Sequence, residues 1–574
     1  MAVHPTPADG TSRPRWAIVG LAGGPGRTCG PSRAPTPTAA PDPLGRASTQ
    51  LDGARSLLTG LAANRSSETG LPVRADDVLP LQPQHPEPHL RTTGDPVRPL
   101  TLDDDRLLPP EPGVRALARE VYGHVRDLPV ISMHGHVEAQ VLADDEPFDD
   151  PARLLVVPDH YVTRMLVSQG TRPEDLGVPR ADGGPVEQDG REIWRRFCAG
   201  WHLFRGTPSR YWLEHELHEV FGVRVQPSPE TADELYDQLA ERIASPRFRP
   251  RALFDAFGVE LLATTDAPAS RLEHHAAIAA SDWGGTVVPT FRPDALVQLD
   301  RPGWKHDVEE LAEVADTDVG DCAGYLAALR QRREHFVARG ARATDHGHLS
   351  ADSTPLGRAD AERIYAAARS GSVGAADAAA FAAHMLFEMA RMSRDDGLVM
   401  QIHPGVLRNH DPGIHERFGA DKGFDIPVAA DFVHGLRPLL SEFGSDPAFR
   451  CVLFTVDETT FSRELAPLAG AYPSVRLGAP WWFLDSPLAM RRFREAVTET
   501  AGFYNTSGFV DDTRAFASIP ARHDVARRVD SGFLASLVAS GQLSLEEAVE
   551  TAVDLTTTIP RAAYARRGDD RAQR

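Results

Sequence analysis

Across most of this chain, short β-branched runs alternate with helix-length amphipathic segments, and few folds accept that alternation. In order the runs are Pro129–Met133, Val259–Thr264, Thr286–Thr290, Arg342–Thr344, Gly397–Ile402, Cys451–Val456, Ser474–Leu477 and Gly508–Asp511. Helical stretches with apolar residues at three- and four-residue spacing fall between them, among them Arg271–Ala280, Ala323–Arg339, Ala375–Ser393, Val428–Phe443 and Pro487–Thr500. Eight strands alternating with helices predict an α/β fold of the (β/α)8 TIM-barrel type. Only the interval 140–255, after the first strand, is too long for one crossover. It reads as a helical insertion (Asp150–Gln169, Ile193–Phe221, Thr231–Ser245) at the barrel mouth.

The barrel domain is expected to span residues 96–574. Residues 1–95 hold roughly a third of the prolines and no sustained hydrophobic period, which predicts a disordered low-complexity tail. Its one apolar run, Trp16–Ala22, is at the lower limit for a secretory leader. The glycines after it lack the helix that a dinucleotide loop requires.

Charge and composition exclude several function classes. A net charge of −20 argues against nucleic-acid binding, and no window is apolar for long enough to span a bilayer. Four scattered cysteines exclude a disulfide scaffold and a clustered cysteine zinc site, and they suit the cytoplasm. Lysine occurs only at Lys305 and Lys422, so Schiff-base chemistry has little to draw on.

Barrel enzymes carry their chemistry at the C-terminal strand ends. Here every end is polar: His134 and His136, Thr264-Thr265-Asp266, Arg292 and Asp294, Asp345 and His346, His403, Asp457, Trp481-Trp482, then Asp512 and Arg514. With 22 histidines in the chain, an H-x-H triplet is no surprise, and a second stands at His346 and His348. Position distinguishes the first. Alternate strand residues share a face, so His134 and His136 both aim into the mouth, and closure would set Asp512 beside them. Two imidazoles and a carboxylate suit a divalent metal, Zn²⁺ being the favoured ion. Ligation by His346 and His348 is the weaker alternative. Arg205, Arg251 and Arg514 are candidates for pairing a carboxylate, and Trp481-Trp482 for stacking on a sugar.

Several segments resemble the uronate (glucuronate) isomerase family of the amidohydrolase superfamily. They are Asp127–His136, Pro158–Arg164, Arg205–Trp212, Val259–Pro268, Val288–Asp294, Thr344–Gly347, Met400–Asn409, Trp481–Asp485 and Asp511–His523, in the family's order. The resemblance implies aldose–ketose isomerisation of a hexuronate, D-glucuronate to D-fructuronate or D-galacturonate to D-tagaturonate, through a cis-enediol(ate). It implies a metal on His134, His136 and Asp512, acid–base work by Asp512 and Tyr161, oxyanion stabilisation by Arg514, and substrate contacts from His160, Arg205, Arg251, His403, Trp481 and Trp482. Two departures bear on the substrate: Gly135 stands where cysteine is common, and Thr207–Trp212 replaces the family's Asn-Pro-Leu-Tyr-His-Trp stretch. A metal-dependent hydrolase or deaminase and an inactive sugar-acid binder are the alternatives. The partner expected is the small sugar acid, with no nucleic acid or membrane, and self-association is left open.

Overall fold

The strands carry aliphatic residues on both faces, as parallel strands covered on both sides do. A computed structural model describes residues 97–566. In it β1 (Val130–Ser132), β2 (Val259–Ala263) and β3 (Val287–Val288) form one parallel sheet, ordered β1-β2-β3. A second parallel sheet has the order β4-β5-β8-β9: β4 (Ala343–His346), β5 (Val399–Ile402), β8 (Cys451–Leu453) and β9 (Val475–Leu477). Between β5 and β8 in sequence, β6 (Val406–Leu407) and β7 (Ile426–Pro427) make a separate antiparallel ribbon. Every residue of β1, β3, β4, β5 and β8 is buried.

Single contacts join these sheets. Phe291, just past β3, bridges Asp266 on one side and Thr344 of β4 on the other. On the far side Thr506 bridges Leu477 of β9. Asp512 N–H then donates to the His134 carbonyl at 3.2 Å, and His136 N–H to the Thr513 carbonyl at 3.0 Å.

The eighth expected run, Gly508–Asp511, is not a ladder strand. Its first residue takes a left-handed φ of +79°, and a Cβ there would meet Pro560 at 2.9 Å. That turn interrupts strand pairing after a single bridge. The short fourth run, by contrast, extends to a four-residue strand that includes Asp345 and His346.

Between β1 and β2 every regular element is helical. The helix expected over Asp150–Gln169 is two, Pro151–Leu155 and His160–Val167, because Pro158 interrupts it and Asp159 caps the second. Likewise Ile193–Phe221 breaks at Gly200 and Pro208 into Gly190–Ala199, a 3-10 turn, and Pro208–His215 running on through Val220. The buried aromatics Trp194, Phe197, Phe204, Phe221 and Phe254 give these helices a core of their own. The tail predicted over residues 1–95 lies outside the described residues. Among the described residues no helix is long and apolar enough to cross a membrane.

Candidate active site

Backbone geometry past β1 delivers the first two site residues. His134 and His136 follow the strand on alternate positions, and their rings meet edge to face at 5.2 Å. Asp512 arrives from the far end of the chain in a left-handed conformation, φ +45°. Its Oδ1 lies 3.2 Å from His134 Nε2 and 2.8 Å from His136 Nε2. That oxygen is buried yet makes no hydrogen bond, and His134 Nδ1 is equally unpartnered. Burial opposes the charge on Asp512, but His134 and His136 outweigh it and hold the carboxyl well below its ordinary range. Two imidazoles converging on one orphaned carboxylate oxygen fit a divalent cation.

Beside this trio stands a second group, also centred on His134. His403, from the end of β5, stacks on His134 at 4.8 Å and on Phe454 at 4.1 Å. Its Nδ1 is 2.8 Å from Asp345 Oδ1, an ion-pair distance without hydrogen-bond alignment, and its Nε2 is buried and unpartnered. Burial would raise the Asp345 carboxyl, yet Arg292, His403 and His134 hold it well below its usual value. Arg292 Nη1 stands 3.3 Å from its other oxygen. Asp345 is therefore already neutralised by a fixed cation, whereas Asp512 faces only imidazoles. On electrostatic grounds the trio is the better cation site.

An aromatic wall faces these groups. Asp159 caps the helix His160–Val167 by accepting from Tyr161 N–H at 2.8 Å. The cap sets Tyr161 against Trp212 (5.4 Å) and His160 against Trp482 (4.5 Å). The Tyr161 hydroxyl donates to Asp485 Oδ2 at 2.9 Å. Burial first, and Asp485 second, push the phenol well above its ordinary value. Burial likewise lowers His160 to about 3, so its imidazole is neutral. Trp482 Nε1–H donates to the Asp425 carbonyl at 3.3 Å, while the Trp481 N–H is buried without a partner. The three histidines, His160, Tyr161, both tryptophans of the pair, Asp345 and Asp512 line a narrow cavity of about 50 Å³ beside a wider cleft of about 870 Å³, which shares His136, Pro158 and Arg514.

The glucuronate isomerase family profile matches residues 113–557, well over half of the chain. The chain belongs to that family. A uronate isomerase of Rhizorhabdus wittichii is 55% identical over 81% of this chain and 99% of its own length. One from Rhizobium meliloti is 54% identical over 81% and 99%. Among solved structures, the glucuronate isomerase of Caulobacter crescentus has 50% identity and a TM-score of 0.80, covering 82% of this chain and 99% of its own. The uronate isomerase of Thermotoga maritima has 29% identity and a TM-score of 0.75, covering 81% and 99%.

Within this family member, the structure gathers most but not all of the residues expected from sequence. His134, His136, His160, Tyr161, His403, Trp481, Trp482, Asp512 and Arg514 share the cavity. Arg205 and Arg251 do not. Arg205 is exposed, beside a small surface hollow with Arg98 and Arg210. Arg251 spends its guanidinium on the Leu142 and Ala143 carbonyls, at 2.8 and 2.9 Å, closing the end of the helix Ala139–Asp144. The arginines that do line the cavity are Arg292, Arg408, Arg514 and Arg522. His346 turns away, its Nε2 bonded to Thr344 Oγ1 at 2.8 Å. Asp345 is the functional residue to which sequence reasoning gave no role, although its place at the end of β4 was visible.

Proposed function

We propose that this enzyme interconverts an aldohexuronate and its ketohexuronate, D-glucuronate with D-fructuronate or D-galacturonate with D-tagaturonate. One observation carries the reading: His134, His136 and Asp512 converge in a cavity of a chain 55% identical to a uronate isomerase. We read the two sheets and the extended segment before Asp512 as one closed (β/α)8 barrel, with the helices between β1 and β2 inserted at its mouth. A location in the cytoplasm fits the scattered thiols, of which Cys198, Cys322 and Cys451 are buried and free.

His134, His136 and Asp512 would hold a divalent metal, and Zn²⁺ suits two imidazoles and one carboxylate. Bound there, the metal supplies a Lewis-acid centre for the oxyanion of the enediolate. The chain's own residues account for the remaining steps. Asp512, kept ionised, takes the proton of the hemiacetal hydroxyl and returns it to the ring oxygen as the bond from C1 to that oxygen breaks. Tyr161 and Asp485 carry the C2/C1 proton: the phenol oxygen takes the proton from C2 as its own passes to Asp485, and the reverse relay delivers a proton to C1 of the cis-enediol(ate) while the hydroxyl proton moves from O2 to O1, a contribution of roughly 10²–10⁴-fold. Arg514 stands beside the developing negative charge. His403, neutral and fixed by Asp345, presents Nε2 to the sugar, and His160 and Trp482 bound the same face. The unpartnered Trp481 N–H is the available donor to a hydroxyl. Arg292, already held by Asp294 and Asp345, and Arg408, held by Asp425, supply the positive field that draws the substrate carboxylate, the part that sequence assigned to Arg205 and Arg251. No lysine lines the cavity, so the lysine-bridged hydrolase reading has no support from it.

The test is product identification. Purified enzyme is incubated with a panel of hexuronates and neutral hexoses, and any ketose formed is trapped with borohydride and resolved. Ketouronate from at least one hexuronate is expected, with neutral hexoses inert. No ketose from any uronate would overturn the reading.

A further inference from the structure

The rear wall of the cavity contains a cation that these steps leave unused. Arg522 lies in the helix Ile519–Ala539 and is 2% exposed. Its guanidinium lies over the Trp212 ring at 3.7 Å and 5.2 Å from the Tyr161 ring centre. Nη1 donates to Asp485 Oδ2 at 3.0 Å and to the Asp511 carbonyl at 3.3 Å, and Nε donates to Ser518 Oγ at 3.2 Å. Asp485 Oδ2 is the oxygen that also accepts the Tyr161 hydroxyl.

The bond to Asp511 has a specific consequence. The peptide joining Asp511 to Asp512 is held at both ends: Arg522 takes its carbonyl, and its N–H donates to the His134 carbonyl. That peptide plane sets the φ of +45° at Asp512, a conformation unfavourable for an L side chain. Released, the plane could turn and carry the carboxylate away from His134 and His136. Packing alone would not need N–H bonds to two other segments as well as to the cap of its own helix. Burying a guanidinium is costly unless it is paired, and Asp159, Asp485 and Asp511 surround this one.

We propose that Arg522 is a positioning residue: it pins the Asp511–Asp512 peptide that aims Asp512, and through Asp485 it fixes the Tyr161 hydroxyl. One guanidinium thus aligns two reacting groups that line the same cavity. The proposal rests on the roles given above to Asp512 and Tyr161. Displacing a reacting group by about 1 Å can cost about 10²-fold in rate.

The experiment compares Arg522→Ala and Arg522→Lys with the unaltered enzyme, each saturated with metal, measuring kcat, KM, metal content and thermal midpoint. In Arg522→Ala kcat should fall about 100-fold with KM within about threefold. Added guanidinium should restore at least about tenfold of that loss saturably, and urea at equal concentration should not. Arg522→Lys keeps the charge but not the forked geometry, so it should remain at least about tenfold down. Turnover per metal-loaded site within about threefold of the unaltered enzyme in Arg522→Lys overturns the proposal. So does a loss that merely tracks metal or folded fraction, or an Arg522→Ala deficit that guanidinium leaves untouched. Should Arg522→Ala fail to fold, Arg522→Lys decides alone. Asp512→Asn and Tyr161→Phe run alongside: near-normal turnover in both removes the roles on which the proposal stands, whereas impaired turnover in both with an active Arg522→Lys removes only Arg522.

Discussion

Asp512 illustrates how much a single residue can be asked to do. It turns the chain in a left-handed conformation, which costs a side chain roughly 1–2 kcal/mol, and it faces two imidazoles. Trp482 and Phe483 sit in the same region of backbone space, at φ +40° and +64°. Two of these three residues, Asp512 and Trp482, line one small cavity, a place where geometry is held against local preference. Asn tolerates that backbone as well as Asp does, so Asp512→Asn isolates charge and basicity from conformation. That variant should keep most of its metal and lose roughly 10³-fold or more in kcat. His134→Ala should lose metal and turnover together. Metal analysis beside steady-state kinetics separates the two, and a near-normal kcat in Asp512→Asn would refute the catalytic assignment. The histidines were legible because an H-x-H at a strand end must aim both rings one way. The dyad of Asp345 and His403 was not, because its partners are contributed by different strands and nothing in their spacing couples them.

At the scale of elements, the helices between β1 and β2 supply His160 and Tyr161 to the cavity along with a buried acid nearby. Glu216, where the helix from Pro208 loosens into a π turn, is 3% exposed. Burial, then Asp159, pushes its carboxyl from 4.5 up to about 8, with Ser518 and Arg522 opposing. Between those values the folded protein keeps a proton that the unfolded chain releases. This group's stabilising contribution is therefore whole below pH 4.5 and is lost as pH rises toward 8, at no more than about 1.4 kcal/mol per pH unit. Glu216→Gln mimics the protonated acid, so its thermal midpoint should decline less steeply from pH 5 to pH 8 than that of the unaltered protein. Parallel declines would exclude the mechanism. The same helices show where periodicity misleads: apolar spacing runs through Pro158 and Gly200, but a proline without an N–H and a glycine without a side chain break the backbone there.

At the scale of the molecule, the curated relatives are matched over 99% of their own length by 81% of this chain. The family profile begins at residue 113, and a chain begun at Pro96 is expected to keep both turnover and thermal midpoint. A large fall in either would show that the extension supports the family domain. Sequence alone determined the alternation of strand and helix, the family, the metal-type trio and the aromatic pair. These are local properties: strand period, side-chain alternation and the order of short motifs along the chain. The tertiary structure alone decided which arginines reach the cavity. It took Arg251 for the end of a helix, left Arg205 on the surface, and brought Arg292, Arg408 and Arg522 inward. It also placed the Tyr161 hydroxyl on Asp485, 324 positions away, and Arg522 behind both. The physical reason is reach. An arginine's long side chain can serve a carbonyl, a carboxylate or the solvent, and which it serves depends on segments that only folding brings beside it.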